Sequence, residues 1–267
     1  MFISFLSDFG LQDGFVGTCH GVIKRIAPDA QIVDITHGIE PQAVLQGALV
    51  LANTVPYMPQ GVHLAVVDPG VGSGRRGLAL RDGTGRTYVG PDNGLLVPAA
   101  EKLGGIAGAW ELKNTAYMLE PVSCTFHGRD VFAPAAAYLA KGVAPDELGP
   151  PVDPGTLKRI ALPEPEVGEA RIRATVLYVD RYGNAQLNLS KGDLERTGIV
   201  PGRRVDLDLD VERYDATAVS TFADARAGDI ILYEDAYGNI AIAITDGNAA
   251  EMLPIRPGQE LTIRLAS

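Results

Sequence analysis

The sequence predicts an α/β N-terminal domain with a mostly parallel sheet, followed by a small all-β domain of barrel type. Three observations carry the prediction. Through the first half, short β-branched runs alternate with segments of helical apolar spacing, the order expected of parallel strands covered by helices on both faces. The texture then changes to a stretch with Pro145, Pro150, Pro151, Pro154, Pro163 and Pro165, which is linker composition. From Glu169 onward, short strands are separated by regular turns, which suits a small barrel or sandwich. The boundary falls near residue 160, dividing the chain into 1–160 and 161–267, and no internal repeat is evident.

Taken in order, Phe2–Leu6 reads as a first strand that stops at Ser7-Asp8-Phe9-Gly10, and Val16–Ile26 as a helix ended by Pro28-Asp29. Gln31–Ile35 is a second strand with Thr36-His37-Gly38 as its exit. Pro41–Val55 carries a helical stripe of Ala43, Leu45, Ala48, Leu49, Leu51 and Ala52, and Gly61–Val67 is a third strand. Leu78–Leu80 and Arg86–Gly90 flank the turn formers Asp82-Gly83-Thr84-Gly85, as in a hairpin. Leu95–Leu103 and Val131–Ala140 read as helices, and Ala109–Leu112 as a strand whose Trp110 belongs to the core. In the second half, strands are expected at 171–179, 184–189, 204–209, 230–234, 240–245 and 261–265.

Composition narrows the function. A hydrophobic share of 46% against 21% charged residues supplies a globular core and argues against disorder. The net charge of −10 and the lack of any Lys/Arg-rich run speak against nucleic acid as a partner. No apolar run approaches a membrane span, and Met1 leads straight into the first strand rather than into a signal peptide. Cys19 and Cys124 are too few for a disulfide framework, so a cytoplasmic location is expected.

The stretch Val66–Arg76 holds the sharpest local signal. A buried strand ends at Asp68-Pro69-Gly70, a glycine-rich loop follows, and Arg75 and Arg76 return toward the acid. Ligands of open α/β sheets sit at such carboxyl strand ends. Asp8 holds the same place after the first strand, and the loops at Asn93 and His127 could line the same crevice. Taken singly, these residues read as a surface ion pair, a helix cap and a structural histidine. Converging, Asp68, Arg75 and His127 could hold a water or hydroxide: arginine gives permanent charge and donors, aspartate takes or directs a proton, and histidine tunes it. Arg76, its side chain directed elsewhere, is expected to be nearly silent in turnover and substrate affinity when replaced by alanine.

Metal and phosphate uses are disfavoured. His20, His37 and His63 are scattered, no H-x-x-x-H, H-E-x-x-H or C-x-x-C spacing occurs, and no lysine follows Gly70, Gly72 and Gly74 as a phosphate loop would need. Neither a metal nor another cofactor is expected. In the second half, Asp180 could bind an ammonium, Tyr182 could stack on a base and Asn184 could read a purine edge; a plain Asp-Gly-Asn turn is the other reading.

Together these pieces resemble one family, the S-adenosyl-L-methionine hydroxide adenosyltransferases, relatives of the adenosyl-fluoride and adenosyl-chloride synthases. The matching motifs are Ser7-Asp8-Phe9-Gly10, Val33-Asp34-Ile35-Thr36-His37, Asp68-Pro69-Gly70-Val71-Gly72, Pro91-Asp92-Asn93-Gly94-Leu95, Thr125-Phe126-His127-Gly128-Arg129-Asp130, Tyr182-Gly183-Asn184 and Thr221-Phe222-Ala223-Asp224-Ala225. They run in family order over almost the whole chain. The resemblance implies a cofactor-free homotrimer with its ligand held between one subunit's N-terminal domain and a neighbour's barrel. It implies that Asp8 binds the ribose hydroxyls, that Asp68, Arg75 and His127 hold the attacking water, and that Asp180 meets the methionine moiety. Asn184, Phe222 and the Asn248-Ala249 backbone would meet adenine, and Tyr182 and Tyr237 join the substrate-binding set. Ala236-Tyr237 stands where the fluoride enzyme has Ser-Arg near the methionine carboxylate.

The halide synthases carry a tyrosine or similar neutral residue where this chain has Asp68, and the fluoride enzyme lacks the His127-Gly128 pair. A carboxylate beside the nucleophile repels halide and suits water. The resemblance therefore implies hydrolysis of S-adenosyl-L-methionine to adenosine and L-methionine by attack at C5′. Two alternatives remain at this stage: a 5′-halo-5′-deoxyadenosine synthase using chloride, and a non-catalytic sensor of adenosine or S-adenosylmethionine.

Overall fold

The first strand, β1 (Phe2–Ser7), is buried along almost its whole length, as expected of an internal strand covered on both faces. In the computed structural model, which describes residues 1–169 and 171–266, it belongs to a six-stranded sheet. The unit containing it runs from Met1 to Ile160, and a second unit from Ala161 to Ser267. The first unit continues with α1 (Phe15–Ile26), β2 (Gln31–Thr36), α2 (Val44–Thr54), β3 (Val62–Val66), β4 (Gly77–Asp82), β5 (Thr87–Pro91), α3 (Val97–Lys102), β6 (Ile106–Glu111) and α4 (Ala133–Ala140). The sheet order is β2-β1-β3-β5-β4-β6, and only β4 runs against the rest. Alternation along the strands sorts the core: Ile3, Phe5, Leu64 and Val66 pack under α1 and α4, while Leu6, Ala65 and Val67 pack under α2 and α3.

One pairing matters for the site. Ser7 of β1 lies opposite Val66 of β3 in a parallel register. The two strands therefore leave the sheet side by side, and Asp8 and Asp68 emerge at the same edge.

Several sequence expectations shift. The second helix begins at Val44 rather than Pro41, because Gln42 sits at φ 66°, a backbone shape no right-handed helix admits. A wide turn over Gly128–Phe132 precedes α4. The proline-rich stretch is not a free linker up to residue 160. Pro151 bridges to Trp110, Leu148 and Leu157 are buried, and Thr156 accepts from Arg76, so residues 145–160 form part of the first unit. Trp110 itself is only half-buried, with the Arg81 guanidinium 5.7 Å from its ring.

The second unit comprises β7 (Glu166–Val167), β8 (Arg171–Val179), β9 (Ala185–Ser190), α5 (Lys191–Arg196), β10 (Arg204–Leu209), β11 (Glu212–Ala218), β12 (Ile230–Glu234), β13 (Asn239–Ile244), α6 (Ala249–Met252) and β14 (Glu260–Leu265). Seven strands in the order β14-β10-β11-β12-β13-β9-β8 close on themselves through β8 and β14, and β7 pairs on β8. It is a barrel, with alternate residues such as Val205, Leu207 and Leu209 filling its interior. Strand β11 escaped the sequence reading because its sequence is mostly polar and only Ala216 and Ala218 are buried.

Candidate active site

The first unit presents a cleft of about 380 Å³ at the exits of β1 and β3. Asp8, Asp68 and His127 line it together, with Phe9, Phe15 and Phe126 as an apolar side. The three rings pack edge to face or tilted, at centroid distances of 5.2–6.0 Å. Their contribution was not read from the sequence, although Phe9 and Phe126 lie within the motifs that were.

Behind this lining, Arg75 joins two of the polar residues. Its Nε donates to Asp68 Oδ1 at 2.9 Å, and its Nη2 donates to Asp68 Oδ2 and, at 2.8 Å, to His127 Nδ1. The pair is well buried, with side-chain exposures of 11% for Arg75 and 6% for Asp68. Arginine has no acceptor, so His127 Nδ1 must accept, and the ring is neutral with its proton on Nε2. Burial, reinforced by the Arg75 charge, holds His127 below the usual histidine range. The guanidinium also stacks 5.0 Å from the Phe132 centroid, which fixes its plane.

The backbone keys these residues together. Gly72 has φ 77°, and a Cβ there would run into the carbonyl oxygen of Cys124. The loop that carries Asp68 and Arg75 thus lies directly on the segment leading to His127. Asp8 is fixed differently: its Oδ2 accepts the Gln42 backbone N–H at 2.8 Å, leaving Oδ1 for a ligand.

Not every expected residue joins the cleft. Asn93 donates to Val67 O and caps its own loop, so it supports the end of β3 without lining the cleft. Arg76 points away, to Asp92 and Thr156, where it anchors the chain around residues 156–158. Its bonds hold the fold together there and do not reach the cleft. The histidines are not all scattered either: His20 and His37 converge on Asp34, while His63 pairs with Ser4 at 2.7 Å. Burial holds His37 below the ordinary histidine range.

The barrel has its own cleft, of about 290 Å³. Its floor is one row across four strands: Tyr178 pairs with Gln186, Gln186 with Ala241, and Ala241 with Tyr233. That row is symmetric because the sequence repeats. Leu177-Tyr178-Val179-Asp180-Arg181-Tyr182-Gly183-Asn184 is matched by Leu232-Tyr233-Glu234-Asp235-Ala236-Tyr237-Gly238-Asn239. The absence of an internal repeat is therefore corrected. In both copies the aspartate Oδ1 accepts the backbone N–H groups two and four residues on, at 2.8–2.9 Å, and the glycine takes φ 83° or 84°. Asp235 was missed, and this repeat was the signal that could have found it.

The barrel cleft holds two carboxylates, Asp180 and Asp235, and two phenols. Tyr178 and Tyr233 are each pushed up to about 12, first by burial and then by the aspartate charges, so both stay protonated donors. Gln186 Oε1 is buried in the floor without a hydrogen-bond partner among the described residues. Asn184 donates from Nδ2 to Asp180 Oδ2, and Phe222 packs 4.8 Å from Tyr233. Tyr237 lines the cleft with Ala236. Tyr182 is 77% exposed and stands outside the lining. Asn248 and the buried Ala249 also lie outside it; Asn248 caps α6 and presses against Gly183.

Residues 3–149 match the SAM hydroxide adenosyltransferase N-terminal domain, and residues 174–262 match the C-terminal domain of the same name. The chain is 46% identical to the (R)-S-adenosyl-L-methionine hydrolase of Salinispora tropica, over 98% of this chain and 97% of that protein. It is 30% identical to a fluorinase of Actinoplanes sp., over 99% and 97%. A crystal structure of an uncharacterized conserved protein from Thermotoga maritima superposes with a TM-score of 0.91 at 32% identity, covering 98% of this chain and 99% of that one. With both domains matched in order over most of its length, the chain belongs to the SAM hydroxide adenosyltransferase family.

Proposed function

We propose that this protein hydrolyses S-adenosyl-L-methionine to adenosine and L-methionine. The observation that carries the reading is the buried Asp68–Arg75 pair at the carboxyl end of β3, bonded to the half-buried His127 and in one cleft with Asp8. Asp68 accepts a proton from the attacking water, and His127 donates from Nε2 to its oxygen. Arg75 fixes both and favours developing hydroxide. The C5′–O bond forms as the C5′–S bond breaks, and the electron pair stays on sulfur. Methionine departs as a neutral thioether, so its leaving group needs no acid. The water proton passes through Asp68 to solvent.

The remaining roles follow from chemistry and family resemblance. Asp8 Oδ1 takes a ribose hydroxyl. Asp180, with Asp235 opposite, receives the methionine ammonium, and Tyr237 lies toward its carboxylate. Asn184 and Phe222, which line the barrel cleft, serve adenine; the family resemblance adds Tyr182 and the Asn248-Ala249 backbone from beside it. Each cleft alone offers half of such a site, which supports a shared site in which one subunit's α/β cleft is completed by a neighbour's barrel; the family resemblance makes that assembly a homotrimer, and the two cysteines make its place the cytoplasm. No helix among the described residues is long and apolar enough to cross a membrane.

Mass spectrometry of products in halide-free buffer tests the reading. Both sulfonium epimers belong in the assay, since the Salinispora relative is named for the (R) form. Adenosine and methionine in equal amounts are expected, with one ¹⁸O from labelled water on the 5′ position. A product that forms only with added chloride and carries it would identify a halide synthase. Tight binding without methionine release would leave a sensor. Sedimentation at assay concentration checks the assembly: a fully active monomer excludes the shared site.

A further inference from the structure

We propose that His20, Asp34 and His37 form a binding site for one divalent transition-metal ion of the zinc, cobalt or nickel type. His20 comes from α1, Asp34 from strand β2 and His37 from the exit of β2. His20 Nε2 lies 2.9 Å and His37 Nε2 3.1 Å from the same Asp34 Oδ1, and the three ligand atoms lie within 4.8 Å of one another.

A second, independent observation points to a ligand. The His37 side chain is 2% exposed, yet its Nε2 has no hydrogen-bond partner among the described residues. The nitrogen is close to the carboxylate, but its N–H direction misses the oxygen. Its other nitrogen, Nδ1, is occupied by Ser7 Oγ at 2.7 Å. Either tautomer leaves a fault. If Nδ1 donates to Ser7, the Nε2 lone pair faces a carboxylate oxygen; if Nδ1 accepts, a buried Nε2–H goes unmatched. A cation between Nε2 and Oδ1 removes the fault, with the Nδ1–H···Oγ bond setting the ligating tautomer.

The donor set chooses the ion. Two imidazoles and one carboxylate favour first-row transition ions over calcium or magnesium, which prefer all-oxygen sites. Bonds of about 2.0–2.2 Å place neighbouring ligand atoms of a tetrahedral ion roughly 3.3–3.6 Å apart. His20, at 31% side-chain exposure, faces solvent and can close the remaining gap by rotation, leaving the outer position to water. None of the three residues lines the cleft that holds Asp68 and His127. The ion would clamp α1 to β2, a structural role separate from the reaction.

The test uses the tag-free full chain, stripped with chelator and titrated with cobalt(II) under visible absorption. One equivalent should bind with a nitrogen–oxygen ligand spectrum, zinc should displace it, and zinc should raise the thermal midpoint. His20→Ala and Asp34→Ala alter partly exposed side chains and should keep the native circular dichroism while each weakening cobalt binding at least about tenfold. Ser7→Ala, which releases the His37 tautomer, should weaken it by about 10–100-fold. No cobalt binding to the unaltered chain, or equal affinity in the His20→Ala and Asp34→Ala chains, overturns the proposal.

Discussion

Asp180 and Asp235 hold the same position in two copies of one loop and face the same cleft. Each tyrosine of the floor feels the aspartate of the opposite copy more strongly than its own, Tyr178 from Asp235 and Tyr233 from Asp180. The negative charge of the barrel cleft is thus shared between two hairpins rather than lodged in one residue.

Equal use of the two aspartates follows. Asn in place of Asp keeps the loop-forming Oδ1 acceptor and removes the charge; at position 180 it also sets an amide NH2 against Asn184 Nδ2, which donates to Asp180 Oδ2. Asp180→Asn and Asp235→Asn should each raise KM by about 10–100-fold, the worth of a hydrogen bond to a charged group, with a smaller change in kcat. Steady-state kinetics on both variants check this; an unchanged KM for Asp235→Asn would remove Asp235 from the substrate site.

The water-holding group should behave as a unit in turnover. Asp68→Ala and Arg75→Ala should each lower kcat by about 10²–10⁴-fold. His127→Ala should be milder, since His127 only donates to the water. Equilibrium binding of adenosine should survive all three. If Asp68→Ala weakens substrate binding but spares turnover, Asp68 is a binding residue and the assignment fails.

Arg76→Ala separates stability from chemistry. It strips the charge partner from Asp92, whose side chain is 4% exposed, and frees Thr156. Turnover per folded molecule should be retained, while stability falls by about 1–3 kcal/mol. Chemical denaturation measures the loss. Inactivation of the folded variant would mean that the arginine roles are reversed.

Acid should weaken the first unit through His63. Burial, helped by the nearby Arg86 charge, pushes this histidine down to about 4. Below about pH 6.5 the unfolded chain takes up the proton and the folded chain does not, so the contribution is complete above 6.5 and is lost as pH falls toward 4. The loss reaches about 3 kcal/mol. His37 and His127 titrate in the same direction. Denaturation midpoints between pH 7 and 4 should fall less steeply in His63→Gln than in the unaltered chain.

Chelation should leave turnover per folded molecule unchanged, because Asp68, Arg75 and His127 are bonded to one another and lie apart from His20, Asp34 and His37. Loss of turnover with recovery on adding zinc or magnesium would refute the metal-free reaction.

The sequence exposed whatever is written locally. Apolar runs and their stops placed β1 and β3, and the parallel sheet then brought Asp8 beside Asp68, as expected of strand ends. The choice of Arg75 over Arg76 was also legible, because the two neighbours must point apart. Three things were not. The convergence of His20 and His37 depends on how α1 crosses β2, which no spacing rule reports. The packing of residues 145–160 depends on long-range partners such as Trp110 and Arg76, whereas composition reports only local stiffness. Strand β11 is polar on one face and carries small alanines on the other, so period-2 patterning is faint. The repeat at 177–184 and 232–239 was plainly legible; it lay at a separation that a search for tandem units does not scan.

The approach of Gly72 to the Cys124 carbonyl makes the nucleophile position a property of the main chain. Arg75 and His127 arrive on loops that touch with no room for even one methyl group, so the two loops are set against each other by the backbone. Replacing Asp68, which lines the cleft, with a neutral residue would change the polarity and the shape of that position without moving either loop. Side-chain exchange at Asp68 or His127 can therefore retune this position, whereas a shift of either loop carries the other with it.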